Sequence, residues 1–234
     1  MDLNKNLEKY ADLIVRIGLN LHAGDNLTIR LSEHSLPLVR LVAKKAYQAG
    51  VGDIQLMFND DTITLDRFLE APAESFETYP EYLVDFTEKL FLDNHHLLSI
   101  HAPNPDLLKP ADPARIAQWQ KVAGMASKRT MKYTMQNKVK WCVVGVACPA
   151  WAEAAFPGMP EEEAMQKLWE NIFMATRVDQ DDPIAAWEEH DSKLKAHREF
   201  LNNARFDRVH YKGPGTDLMV GLVENHIWEG GSGF

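Results

Sequence analysis

The sequence predicts an α/β fold: a parallel or mostly parallel sheet of at least four strands flanked by helices, followed by the start of a second β-containing domain. Three observations predict it. Between residues 1 and 146, short apolar runs alternate with segments whose apolar residues recur every three or four positions. The first strand, the helix after it and the second strand are joined by short turns, the pattern of a right-handed crossover between parallel neighbours. Beyond residue 204, two alternating segments flank a Gly-Pro-Gly turn, which is antiparallel chemistry. The expected division is therefore an α/β domain over 1–204 and the beginning of another over 205–234.

Each element has its own justification. Leu7, Tyr10, Ala11, Ile14, Val15, Ile17 and Leu21 give one apolar helix face, which Gly24 and Asp25 end. Leu27–Leu31 is the first strand. Leu38, Leu41, Val42, Ala46 and Ala49 stripe the next helix, stopped at Gly50-Val-Gly52, and Ile54–Phe58 is the second strand. Helices are expected near Thr64–Glu70 and Glu81–Leu92, then a third strand over Leu97–His101. Pro103, Pro105, Pro110 and Pro113 mark a loop, and Pro113 suits the first turn of a helix running to Lys128. Val139–Val146 is almost continuously apolar in its second half, as in a strand covered on both faces. Three glutamates, Glu161 to Glu163, open the next helix where the macrodipole favours them, and Asp182-Pro183 starts one over Ile184–Asn202. Phe206–Tyr211 and Asp217–Leu222 then form a hairpin across a loop of about five residues, Lys212–Thr216.

Composition narrows the function. The net charge of −9, from 34 acidic and 25 basic side chains, repels phosphate backbones, so nucleic acid is not an expected partner. No run approaches the ~18 apolar residues of a membrane span, and no basic-then-apolar leader opens the chain, so a soluble cytoplasmic protein is expected. Cys142 and Cys148 sit in or beside an apolar run and are expected as buried thiols.

Individual motifs supply little chemistry. Four residues after His190 stands Leu194, and His197 is two turns away, about 10 Å along a helix, so that helix does not chelate. His95 and His96 are adjacent and diverge in any regular structure. There is no Gly-x-Ser-x-Gly elbow, and the Gly213-Pro-Gly215 turn lacks the Lys-Ser/Thr of a phosphate loop. Asp60-Asp61 follows a strand, where a cation-binding loop could lie; capping of the next helix is the simpler reading. Trp151, Trp169, Trp187 and Trp228 are most simply core or interface anchors.

Taken together, the residues resemble the M29 metallo-aminopeptidases, the thermophilic metalloprotease or aminopeptidase T, S and PepS family. The resemblance is carried by Leu7-Glu-Lys-Tyr-Ala-Asp-Leu-Ile-Val15, Gly18-Leu-Asn20, Ala46-Tyr-Gln-Ala-Gly50 and Asn137-Lys-Val-Lys-Trp141. It continues through Trp151-Ala152, Leu168-Trp169, Asp182-Pro183, Ala186-Trp187, Gly213-Pro-Gly-Thr-Asp-Leu218 and His226-x-Trp228.

What the resemblance implies is a longer parent enzyme that hydrolyses the N-terminal bond of short peptides. Two divalent ions (zinc, cobalt, magnesium or manganese) would hold a bridging water as nucleophile, and the parent would be a homodimer. In that family the metal ligands follow the region matched here, so no catalytic residue and no metal ligand transfers to a numbered position. With the chain ending at Gly230-Gly-Ser-Gly-Phe234, the expectation is an N-terminal piece that is inactive alone and binds no metal. Asp217, His226 and Trp228 are the candidates for enclosing substrate in the parent. Two alternatives remain: a stand-alone α/β module binding a small ligand through Asp60, Asp61 and the loop after Ile100, or an assembly domain using the tryptophans.

Overall fold

The computed structural model describes residues 2–230. Phe234 and the three residues before it therefore lie outside the described residues. The chain divides into two compact units, Met1–Pro183 and Ile184–Phe234.

The first unit is built on four parallel strands: β1 (Asn26–Leu31), β2 (Ile54–Phe58), β3 (His95–His101) and β4 (Trp141–Gly145), in the order β2-β1-β3-β4. The register is continuous, with Ile29 opposite Leu56 on one side and Leu98 on the other. The central strands β1 and β3 are the most buried of the four; Leu27, Ile29 and Leu98 have no exposed surface.

Helices α1 (Leu3–Leu13) and α2 (Leu36–Gln48) pack on each other and bury Leu7, Tyr10 and Ala11 with Leu38 and Val42. Next come α3 (Asp61–Glu70) and α4 (Glu81–Leu92), then α5 (Pro113–Met135), which packs beside α4. The unit closes with α6 (Pro149–Ala155) and α7 (Glu161–Ala175). Tyr10 meets Phe173 edge-on at 6.1 Å, and Trp169 stacks on Phe173 at 5.1 Å, which ties α7 to α1.

Several boundaries differ from the sequence reading, each for a local reason. The first helix ends sooner than expected, because Ile14–Gly18 widens into a π turn in which Leu19 N–H donates to Ile14 O at 2.9 Å. That turn brings Gly18 against β4: a Cβ there would lie 2.8 Å from the Cys142 sulfur. Helix α3 starts three residues early because Asp60 caps it, its carboxylate accepting Ile63 N–H at 2.9 Å. Strand β3 begins at His95 rather than Leu97, since both imidazoles are buried and bonded. Strand β4 is an edge, not a strand covered on both faces, and leaves Trp141 and Val143 46% and 57% exposed. Helix α6 had no sequence-level counterpart, and α5 continues seven residues past Lys128 to Met135.

The second unit contains most of α8 (Pro183–Ala204) and an antiparallel hairpin of β5 (Arg208–Gly213) and β6 (Thr216–Gly221). The expected five-residue loop is a two-residue turn, Pro214-Gly215, because Gly215 takes φ +74° where a Pro-Gly turn requires a left-handed residue. Every residue of β6 is exposed, Leu218 and Met219 included.

Candidate functional site

Ligands of open α/β sheets bind outside the carboxyl ends of the strands, so those ends are the first place to look. Here β1 runs into a 3-10 turn, Glu33–Ser35; β2 runs into Asp60 and Asp61; and Cys148 follows β4. Asp60 is occupied as the cap of α3. Burial, and then Asp60 beside it, pushes the Asp61 carboxyl up; Glu33 adds to this and His34 opposes it. The result is three carboxylates, Asp60, Asp61 and Glu33, and one imidazole near the mouth of the sheet, with His34 Nε2 3.4 Å from Glu33. Cys148 is buried and its sulfur lies 3.4 Å from Pro103 O, and burial pushes its thiol up, which makes it a poor nucleophile. The loop after Ile100 contributes a backbone carbonyl to Cys148. Glu33 and His34 were missed as neighbours of Asp61; their only signal was position directly after an apolar strand.

At the opposite, amino ends of the strands lies a tighter polar cluster. Lys140 Nζ donates to Asp25 at 2.8 Å and to Asn20 O at 2.7 Å, while Asp25 also accepts His22 N–H at 2.9 Å. Burial raises the Asp25 carboxyl, but the Lys140 ammonium, the His22 amide and His96 together hold it below the usual carboxylate range. His96 Nδ1 accepts the Lys140 backbone N–H at 3.2 Å, so its proton belongs on Nε2, which faces Asp25 at 3.3 Å. Burial keeps that imidazole neutral. Beside it, His95 Nδ1 lies 3.2 Å from Thr28 Oγ1. Both histidines act as connectors between strands.

In the second unit, Asp217 on β6 pairs with His210 on β5 at 2.6 Å. His226 donates from Nδ1 to Val223 O at 2.8 Å, leaving Nε2 as an acceptor, and its ring meets Trp228 edge-on at 5.8 Å. The Asn202 amide grips Trp228 through both backbone groups, at 2.8 and 3.0 Å, and the indole N–H of Trp228 is buried with no partner among the described residues. His226 and Trp228 are thus brought together, whereas no hydrogen bond or ion pair among the described residues joins Asp217 to either.

A family profile described as Thermophilic metalloprotease (M29) matches residues 3–234. The chain belongs to the M29 family. Among relatives, aminopeptidase 2 of Geobacillus stearothermophilus is 42% identical over 228 residues, covering 97% of this chain and 55% of that protein. Aminopeptidase T of Thermus thermophilus is 40% identical, covering 97% and 56%, and aminopeptidase AmpS of Bacillus subtilis is 39% identical, covering 97% and 55%. The solved structure of wild-type AmpT from Thermus thermophilus superposes with a TM-score of 0.90 at 38% identity, covering 97% of this chain and 56% of that one. The chain spans about half the length of the relatives it matches.

For an M29 member, the test that matters is whether these residues fit a metal. They do not: among the described residues no group of three or more His, Cys, Asp or Glu could hold one. The Asp25 carboxylate is already engaged by the Lys140 ammonium, the Nε2 of His96 and the His22 amide. No helix of the described residues is long and apolar enough to cross a membrane.

Proposed function

We propose that this chain is the amino-terminal part of a cytoplasmic metallo-aminopeptidase that removes N-terminal residues from short peptides, and that the chain by itself lacks the catalytic centre. The observation that carries the second half is the missing metal-ligating group among the described residues, in a chain that covers about 55% of aminopeptidases at about 40% identity. In the complete enzyme two divalent ions, of zinc, cobalt, magnesium or manganese, would be held by residues outside this sequence. The complete enzyme would be a homodimer. Asp217, His226 and Trp228 would line the approach to its substrate; the free Nε2 of His226 is the group that would meet a peptide.

Two assays separate the halves of this reading. Purified 234-residue chain, supplied in turn with each metal, should release no p-nitroaniline from leucine p-nitroanilide above the protein-free rate. Chelator-sensitive release would overturn the proposed inactivity. A chimaera in which this chain replaces the matched stretch of Thermus thermophilus aminopeptidase T should keep peptidase activity. A folded but inactive chimaera would count against the proposed role in the parent.

A further inference from the structure

A cavity of about 560 Å³ lies over the face of the sheet that α4 and α5 cover, with Arg30 among the residues lining it. Its size is ordinary for a small-molecule site. Leu27, Ile29 and Leu31 bury one face of β1, so the alternation of the strand sends Arg30 to the other, beside Met57 of β2. Among the described residues the Arg30 side chain makes no ion pair and no hydrogen bond, in a chain whose acids outnumber its bases. Two arginines on neighbouring elements are engaged: Arg67 donates to Ser75 O at 3.1 Å and Arg115 to Phe68 O at 3.0 Å. Burial of part of the side chain lowers the guanidinium pKa and the nearby Tyr79 phenol opposes this, while the residue as a whole stays exposed and so can be reached from solvent.

The rest of the lining defines what would satisfy it. Tyr79 stacks on Trp119 at 5.3 Å to form an aromatic wall, and Leu83 and Val84 of α4 extend the apolar surface. The hydroxyls of Thr87, Ser127 and Thr130 already donate to carbonyls of their own helices, so they offer no competing hydrogen to an anion. A second, independent observation comes from Gly124, in the middle of α5. Glycine there costs about 1 kcal/mol relative to alanine. No packing demands it, because a Cβ at Gly124 would meet nothing within 4 Å, and the residue lines the cavity. The missing side chain leaves that part of the cavity open.

We propose that this cavity binds a small organic carboxylate with an aromatic or branched aliphatic tail, the carboxylate on Arg30 and the tail against Tyr79 and Trp119. A guanidinium receives a carboxylate through two parallel hydrogen bonds, which neither water nor a neutral isostere reproduces.

Calorimetric titration of the 234-residue chain with phenylacetate, and with phenylacetamide as the uncharged isostere, tests it. Phenylacetate should bind saturably, and phenylacetamide about tenfold or more weaker, the ratio expected for losing a charged hydrogen bond. Arg30→Gln should weaken phenylacetate by a similar factor and leave phenylacetamide unchanged. Gly124→Leu, which fills the cavity from α5, should abolish both. Equal affinity for acid and amide, phenylacetate binding that survives Arg30→Gln, or no saturable heat at all would each overturn the proposal. If Arg30→Gln does not fold by circular dichroism, the acid-to-amide ratio on the unmodified chain decides.

Discussion

At the scale of single residues, two positions show how local geometry turns into stability. Gly50 ends α2 at φ +93°, and a Cβ there would lie 2.8 Å from the Ala23 Cβ and 2.9 Å from its Cα. Gly50→Ala therefore adds backbone strain to a steric clash, and urea denaturation should show a loss of about 2–4 kcal/mol. Gly124→Ala is the control: with nothing to strike, it should be neutral or stabilise by up to about 1 kcal/mol. The Asp25 cluster gives a prediction in pH. Because folding lowers the Asp25 pKa, its contribution is complete above the unfolded value of about 4 and is lost as pH falls through the folded one. Asp25→Asn should cost about 2 kcal/mol near neutrality, by leaving Lys140 without its carboxylate, and should flatten the decline in stability below about pH 4. An unchanged acid limb in the variant would show that other carboxylates dominate.

At the scale of elements, legibility followed the range of the interactions that set each boundary. Strand β2 and helix α4 fall where the sequence places them, because Gly52 and Pro80 beside them punctuate the chain locally. Strand β3 was read short because its first two residues are histidines; their partners, Thr28 and Lys140, lie 67 and 44 residues away. Helix α1 was overextended because a π turn keeps apolar residues coming while changing the face they occupy. Of the site residues, Asp60 was legible as a cap, whereas Arg30 was not legible at all: one arginine in Leu27-Thr-Ile-Arg-Leu31 looks like any outward-facing strand residue until the helices above it are known. The Asp60 cap has its own test. Asp60→Ala should destabilise the chain by about 1 kcal/mol, and Asp60→Asn by much less, in thermal or urea unfolding.

At the scale of the whole molecule, the two units should differ in how firmly they hold their hydrogen bonds. A lone two-stranded hairpin is marginal in water, and β6 is exposed along its length, so hydrogen exchange of this chain should find β5 and β6 the least protected strands and β1 and β3 the most. Equal protection would mean that the hairpin is covered in solution. The strand order has a further consequence, for assembly during synthesis. Pairing β1 with β2 brings together residues 27 apart, Leu27 and Ile54, whereas pairing β1 with β3 joins residues 69 apart, Thr28 and Leu97. The longer closure costs only about 0.8 kcal/mol more in chain entropy. Ribosomal timing widens that gap: the β1-α2-β2 crossover can close while the rest is still unmade, with one flank of its central strand held open for a partner some forty residues behind.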